Sequence, residues 1–154
     1  MTRLLEYALS RPWMMDPVYI DKMMLVLARH AKGITLSQEE IRAAIGRDPK
    51  AFKDDAPAKE DCGYRRSGDV AVISVEGVIA KRASHVQGIS GPTGSSCETL
   101  RSHFERALAD PKVSGIVLDI DSPGGSVDGV AGMSSLLHSA RGEKPVVAYA
   151  NGQM

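Results

Sequence analysis

The apolar residues that follow Asp16 recur with helical spacing. Asp16 is a favoured N-cap residue, Pro17 suits the first helical position, and Gly33 suits the position just after a helix. Between them, one face collects the apolar side chains of Ile20, Met23, Met24, Leu27 and Ala31. This pattern predicts an amphipathic helix that packs through that face.

The next segment is typical of one short helix followed by a linker. Ser37 and Glu40 have the spacing of a capping box, and Gly46 is placed to end the helix. Residues 47–67 are polar, carry charges of both signs and lack apolar periodicity, as solvated linkers do. We therefore predict a helical N-terminal region at residues 1–46, a linker at 47–67 and the main domain at 68–154.

In the main domain the pattern alternates between strands and helices. Val70–Val75 is rich in β-branched residues and predicts a strand, with a possible bulge where Gly77 interrupts it. A surface loop rich in Gly and Ser follows at residues 81–94. Ser95 and Glu98 then predict a capping box for a helix whose apolar face is formed by Leu100, Phe104, Ala107 and Leu108.

The last third of the chain predicts a βαβ unit. Gly115–Asp121 and Pro145–Ala150 are short apolar strands. The helix between them is predicted to bury Val127, Val130, Ala131, Ser134 and Leu137. Strands joined in this way are parallel, so the main domain belongs to the α/β class.

The turn Ser122-Pro123-Gly124-Gly125 is the segment that points to chemistry. Adjacent glycines open conformations closed to other residues and let a ligand approach the backbone. We expect a helix to begin directly after them, so that its N–H groups and positive dipole end favour an anion or a developing oxyanion. The alternative is a tight turn that needs glycine for steric reasons alone. A phosphate loop has no support, because neither nucleotide-binding glycine pattern is present.

Composition removes several other classes of function. Nineteen basic residues balance 19 acidic ones, so no global field favours nucleic acid or an anionic membrane. Cys62 and Cys97 form no metal-binding pattern, and no apolar run is long enough for a membrane span or a secretory signal. We expect a cytoplasmic protein with neither a disulfide framework nor a metal site.

Scattered titratable residues add little. The four histidines, His30, His85, His103 and His138, show no arrangement that supports a Ser-His-Asp triad. Asp119 and Asp121 alternate along a strand end and therefore share one sheet face. Without a third ligand, we favour hydrogen bonding to the turn or an interface over a metal site.

The order of segments resembles signal peptide peptidase A and its relatives, which have the ClpP/crotonase-like fold. The resemblance spans residues 68–154 and rests on VAVISVEGVI, ADPKVSGIVLDIDSPGGSV and KPVVAYANGQM. It implies a serine peptidase without a cofactor, in which Gly124 and Gly125 supply oxyanion-hole N–H groups. Ser126 and Val127 would contact a substrate that binds as an added strand.

The resemblance also implies what this chain lacks. The nucleophilic serine of such peptidases follows the strand that matches residues 145–151, and the lysine base lies further on. No residue of this chain matches either one, so we expect residues 1–154 alone to be inactive.

The helical N-terminal region and the missing membrane anchor make the chain look like the tailed-phage version, which processes scaffold and capsid proteins during head assembly. That version implies protein substrates and a homo-oligomer. Two alternatives remain open: an acyl-CoA enzyme that holds an enolate at the same glycine turn, and a prophage remnant or assembly factor without catalysis.

Overall fold

Eight strands and three helices lie wholly within the described part of the chain. The computed structural model describes residues 6, 8–34, 37, 40, 63–82 and 94–150. In chain order the elements are β1 (Trp13–Met15), α1 (Pro17–Ala31), β2 (Arg65–Ser67), β3 (Val70–Glu76), β4 (Ile79–Ala80), β5 (Ser95–Ser96), α2 (Cys97–Ala109), β6 (Gly115–Asp121), β7 (Gly124–Ser126), α3 (Val130–Ser139) and β8 (Val146–Ala150).

These strands form two sheets, each of four strands. The core sheet has the order β2-β3-β6-β8, and the side sheet has the order β1-β7-β4-β5. In the core sheet β3, β6 and β8 are parallel, while β2 pairs antiparallel with β3. In the side sheet β7, β4 and β5 are parallel, while β1 pairs antiparallel with β7.

The chain crosses from the core sheet to the side sheet twice in the same way. β3 passes into β4, and β6 passes into β7; in each case a helix and then a further core strand come later in the chain. Each crossover adds one parallel strand to each sheet. This arrangement is consistent with the ClpP/crotonase-like fold, and the predicted α/β class with a parallel sheet is confirmed.

The hydrophobic core lies between the core sheet and α2. Alternation along β3 buries Ala71, Ile73 and Val75 on one face. The apolar face of α2 meets them through Leu100 and Phe104, and Phe104 is fully buried. The predicted position of this helix is therefore confirmed.

Gly77 does not form a bulge. It has a φ of +66°, a region that favours glycine, and it follows the last residue of β3. The chain turns there into β4 of the side sheet, so the predicted single strand is two strands in different sheets. The prediction failed because continuous β-branched composition does not show where a chain changes sheets.

The capping box predicted at Ser95 is wrong by one residue. Ser96 is the N-cap of α2, and its hydroxyl accepts a hydrogen bond from Thr99 N at 3.0 Å. The Ser95 hydroxyl instead accepts from Glu76 N at 2.8 Å and donates to Glu76 O at 2.9 Å. Ser95 therefore joins β5 to the end of β3 and does not cap the helix.

The N-terminal helix is present as predicted, with a slightly rotated buried face. Asp16 Oδ1 accepts from Val18 N at 2.8 Å, as an N-cap does. The buried side chains are Tyr19, Met23, Val26 and Leu27, while the predicted Met24 and Ala31 are exposed. The face turns because Trp13 and Met15 of β1 pack against it.

Two of the regions predicted from the sequence contribute strands to the sheets. Arg65–Ser67, placed by the sequence in the linker, form β2 of the core sheet. β1 of the N-terminal region belongs to the side sheet. Ser37 N donates to Glu40 at 2.8 Å and Glu40 N to the Ser37 hydroxyl at 3.2 Å, so the capping box forms. Its helix, the rest of the linker and residues 83–93 lie outside the described residues.

The carboxylate of Asp110 ties the end of α2 to the strand layer. It accepts hydrogen bonds from Lys112 N at 2.9 Å and from the buried Tyr64 hydroxyl at 2.7 Å. These bonds favour the charged form and lower the pKa of Asp110 below its ordinary value, with the Lys112 N–H as the larger cause.

This lowered pKa predicts a pH-dependent contribution to stability. Because the folded-state pKa lies below the unfolded value, the stabilisation is complete above the ordinary pKa of about 3.8 and is lost as pH falls through the folded value. Asp110→Asn should therefore be less stable than wild type at neutral pH, and this difference in stability should shrink when the pH falls below the ordinary pKa of about 3.8. Urea unfolding of both proteins at neutral pH and in this acidic range measures the difference. The same difference under both conditions would contradict the role given to Asp110.

Candidate active site

The crossover from β6 to β7 is tied to the crossover from β3 to β4. Ser122 is buried, and its hydroxyl donates to Gly77 O at 2.6 Å. The same oxygen accepts from Gly124 N at 3.1 Å. Gly77 N in turn donates to Asp121 O at 2.9 Å. One hydroxyl thus holds both crossovers and fixes the direction of the Gly124 N–H.

Both glycines of the turn are required by close packing. Gly124 has a φ of +104°, and a Cβ there would overlap the backbone oxygen of Met14. A Cβ on Gly125 would overlap the backbone oxygen of Ile79. β7 therefore lies between β1 and β4 at a separation that admits no side chain. The steric interpretation of these glycines holds, and it leaves a catalytic role for their N–H groups open.

The predicted helix does not begin at the glycines. Gly124–Ser126 form β7, and α3 begins at Val130 after its N-cap Gly129, which has a φ of +87°. The glycine segment stays extended because β1 and β4 offer it ladder partners on both sides. The helix dipole invoked for this turn is therefore absent from it.

The buried face predicted for α3 is also wrong in part. Val127 lies before the helix, and Val130, Ala131 and Ser134 are exposed. The helix contacts the core through Met133, Leu136 and the predicted Leu137, all partly buried. The later helix start rotates the face that meets the sheet.

The two predicted substrate contacts differ in their surroundings. Ser126 is buried, and its hydroxyl accepts from Asp128 N at 3.2 Å. Val127 is 43% exposed, and its N–H donates to Pro12 O at 3.2 Å. The side chain of Ser126 is thus inaccessible, while Val127 lies at the surface beside the N-terminal segment.

β1 covers the outer edge of β7. Val127 N donates to Pro12 O, and Asp16 N donates to Pro123 O at 2.9 Å. Met14 pairs with Gly125 midway between these bonds. Hydrogen-bonded pairs alternate in an antiparallel ladder, so Met14 and Gly125 form such a pair, with the Gly125 N–H directed at Met14 O. Sequence reasoning missed this strand, which has only three residues.

An apolar cleft lies beside the turn. It has a volume of about 300 Å³, and its lining includes Ile79, Cys97, Leu118 and Val130. Burial raises the pKa of the Cys97 thiol, which keeps it protonated at neutral pH. The cleft therefore suits an apolar side chain and offers no thiolate nucleophile.

A second cleft, of about 430 Å³, contains Ser134, His138 and Lys144. The Lys144 ammonium donates to Ala107 O at 3.0 Å and to Asp110 O at 2.6 Å. Both acceptors lie at the C-terminal end of α2, so the Lys144 side chain is tied to that helix end. His138 is exposed.

The remaining candidates do not converge on the turn. Asp119 Oδ1 is buried and has no hydrogen-bond partner in the described part, so the expected bond from this atom to the turn is absent. His103 lies against Gly63, and the side chains of His30 and His85 fall outside the described ones. The described residues contain no cluster of three metal-ligating side chains and no helix able to cross a membrane.

The fold is thus that of an α/β protein consistent with the ClpP/crotonase-like class, and its candidate site is made of backbone N–H groups of β7. No family model matches the chain. Three curated proteins do, and two of them are phage proteins.

The chain is homologous to the capsid assembly protease C of Escherichia phage lambda, with 30% identity over 94% of this chain and 34% of that protein. The head-tail preconnector protein GP5 of Enterobacteria phage P21 is 28% identical over 98% of this chain and 30% of that protein. Protease 4 of Salmonella typhi is 37% identical over 55% of this chain and 13% of that protein. The chain thus spans about a third of the length of the phage proteins, and the resemblance read from the sequence is confirmed.

The packing of the glycines predicts a sharp contrast between two substitutions. Gly125→Ala should lose about 2–3 kcal/mol of unfolding free energy, because its Cβ meets rigid backbone of Ile79. Gly132→Ala is the matched control: its Cβ meets nothing within 4 Å, so it should be neutral or stabilising by up to about 1 kcal/mol. Urea unfolding of both variants measures this, and equal effects would refute the packing account.

Proposed function

We propose that this chain is the oxyanion-binding and substrate-binding part of a serine endopeptidase of the signal-peptide-peptidase type, which processes scaffold or capsid proteins during phage head assembly. The observation that carries the proposal is the homology to phage lambda capsid assembly protease C along nearly the whole chain. The backbone-built turn at the end of β6 supports it.

The turn fits the chemistry of acyl transfer. A serine oxygen that attacks a peptide carbonyl produces an oxyanion, and N–H donors set in place beforehand can each contribute about 3–4 kcal/mol to its stabilisation. Gly125 would supply such a donor here; Gly124 would supply a second one by exchanging its bond to the Ser122 hydroxyl for a bond to the oxyanion. The Ser122 hydroxyl, which accepts the Gly124 N–H, holds this segment in one shape before a substrate arrives.

The substrate would bind in extended form along β7. Val127 is partly exposed, its N–H would bond the peptide in place of Pro12 O, and the neighbouring apolar cleft can take a side chain of the bound peptide. The buried Ser126 would act through its backbone. By the resemblance, β8 corresponds to the strand that precedes the nucleophile in such peptidases. β8 is an edge strand of the core sheet, and its Val147 and Tyr149 are exposed. That edge supports the proposal of a homo-oligomer or of pairing with further chain.

Neither nucleophile nor base is proposed among residues 1–154. Ser126 is buried, and Lys144 is held by two carbonyls. The serine and lysine of the complete site would lie outside residues 1–154, as the resemblance implies. No metal or cofactor enters this mechanism.

A fluorophosphonate probe tests the proposal. We expect no labelling of the 154-residue chain, and labelling of one serine when the chain replaces the matching part of lambda protease C in a fusion with the rest of that protein. The rest of lambda protease C alone is the control and should stay unlabelled, because it lacks the turn. Labelling of Ser126 or Ser134 in this chain would contradict the assignment of roles, and an unlabelled fusion that is folded by circular dichroism would contradict the peptidase itself.

A further inference from the structure

The edge of β7 is covered by a strand from a distant part of the chain. β4, the neighbour of β7 on its other side, follows β3 at the crossover equivalent to the one from β6 to β7. β1, the outer neighbour, comes from the N-terminal region and contributes three residues. Without β1, the backbone groups of Gly125 and Val127 would form an open strand edge. Such an edge binds extended peptides through main-chain hydrogen bonds.

The register of β1 is that of a peptide bound to the proposed oxyanion donors. Val127 N donates to Pro12 O, and the alternation of the ladder directs the Gly125 N–H at Met14 O. A substrate added at this edge would present a carbonyl to the same N–H group. The Met14 side chain is 77% exposed, so its backbone rather than its side chain holds the position.

The contacts that hold β1 lie at its sides and ends. Trp13 Nε1 donates to Ala8 O at 2.8 Å, and Trp13 and Met15 are partly buried against α1. Arg11 forms an ion pair with Asp128, just after β7, and both side chains are partly exposed. Exposed pairs of this kind contribute little. β1 is thus held both by its packing on α1 and by its hydrogen bonds to β7.

We propose that β1 is an internal substrate mimic: it fills the peptide-binding edge of β7 with the Met14 carbonyl in the place of the scissile carbonyl, and a substrate must displace it. This inference rests on the proposed function and adds a means of regulation. A tethered strand competes at an effective concentration in the millimolar range, so the site stays closed to weakly binding peptides.

Hydrogen exchange of the wild-type chain tests the displacement. We expect the Val127 and Asp16 amides, which bond across β1 and β7, to exchange together at least about 100-fold faster than the Ile116 amide, which donates to Pro145 O in the core sheet. Exchange of all three only through global unfolding would show that β1 is a permanent strand and would overturn the proposal.

Peptide binding tests the mimicry. The probe is a fluorescein-labelled peptide with the sequence of residues 10–18, followed by fluorescence anisotropy. Met14→Pro removes the N–H that pairs with Gly125, so this variant should bind the peptide at least about tenfold more tightly than wild type. Met14→Ala keeps the N–H and is the control; it should bind as weakly as wild type.

A folded Met14→Pro variant that binds no more tightly than wild type would overturn the inference. If the Met14→Pro variant does not fold, hydrogen exchange of the wild-type chain tests whether β1 leaves β7. The two proposals fail separately. Tighter peptide binding combined with an unlabelled fusion protein would leave a strand-binding site without peptidase function. A labelled fusion without tighter binding would leave the peptidase without an internal mimic.

Discussion

The buried hydroxyl of Ser122 joins the two points at which the chain leaves the core sheet for the side sheet. It donates to Gly77 O on one crossover and accepts from Gly124 N on the other. Because both crossovers are fixed at one atom, β4 and β7 must run side by side from their first residues. That closeness leaves no room for a Cβ at Gly125, and it aligns the backbone that the proposed chemistry uses.

A site built in this way depends on main-chain geometry rather than on reactive side chains. The described residues around the turn supply N–H groups, an apolar cleft and a strand edge. This division suits a protein homologous to phage capsid assembly protease C that spans about a third of its length. It also explains why the same strand edge can be filled by a segment of the chain itself, since main-chain pairing requires no particular side chain.

Periodicity predicted the large elements of this fold well. α1, α2, β3, β6 and β8 were all expected, because each combines a clear apolar pattern with recognisable ends. The short strands were not predicted. β1 and β2 have three residues each, and their strand character comes from the partners they pair with and not from their own composition. The start of α3 was misplaced for the same reason, because β1 and β4 keep residues 124–126 extended.

The sequence singled out the turn at residues 122–125, but not the contacts that hold it. The glycines drew attention to the turn, yet the role of Ser122 was missed, although a serine two residues before a glycine N–H is a common turn arrangement. Its second bond, to Gly77 O, joins residues 45 apart in the sequence, and no local pattern reveals such a contact.

Ser122→Ala tests this account most directly. This variant should lose about 1–3 kcal/mol of unfolding free energy, since Gly77 O and Gly124 N would be left without their buried partner. Ser135→Ala removes an equivalent bond to a backbone oxygen, that of Ala131, at an exposed position, and should change stability by less than about 0.5 kcal/mol. Equal unfolding free energies for the two variants in urea would contradict the claim that Ser122 holds the site together.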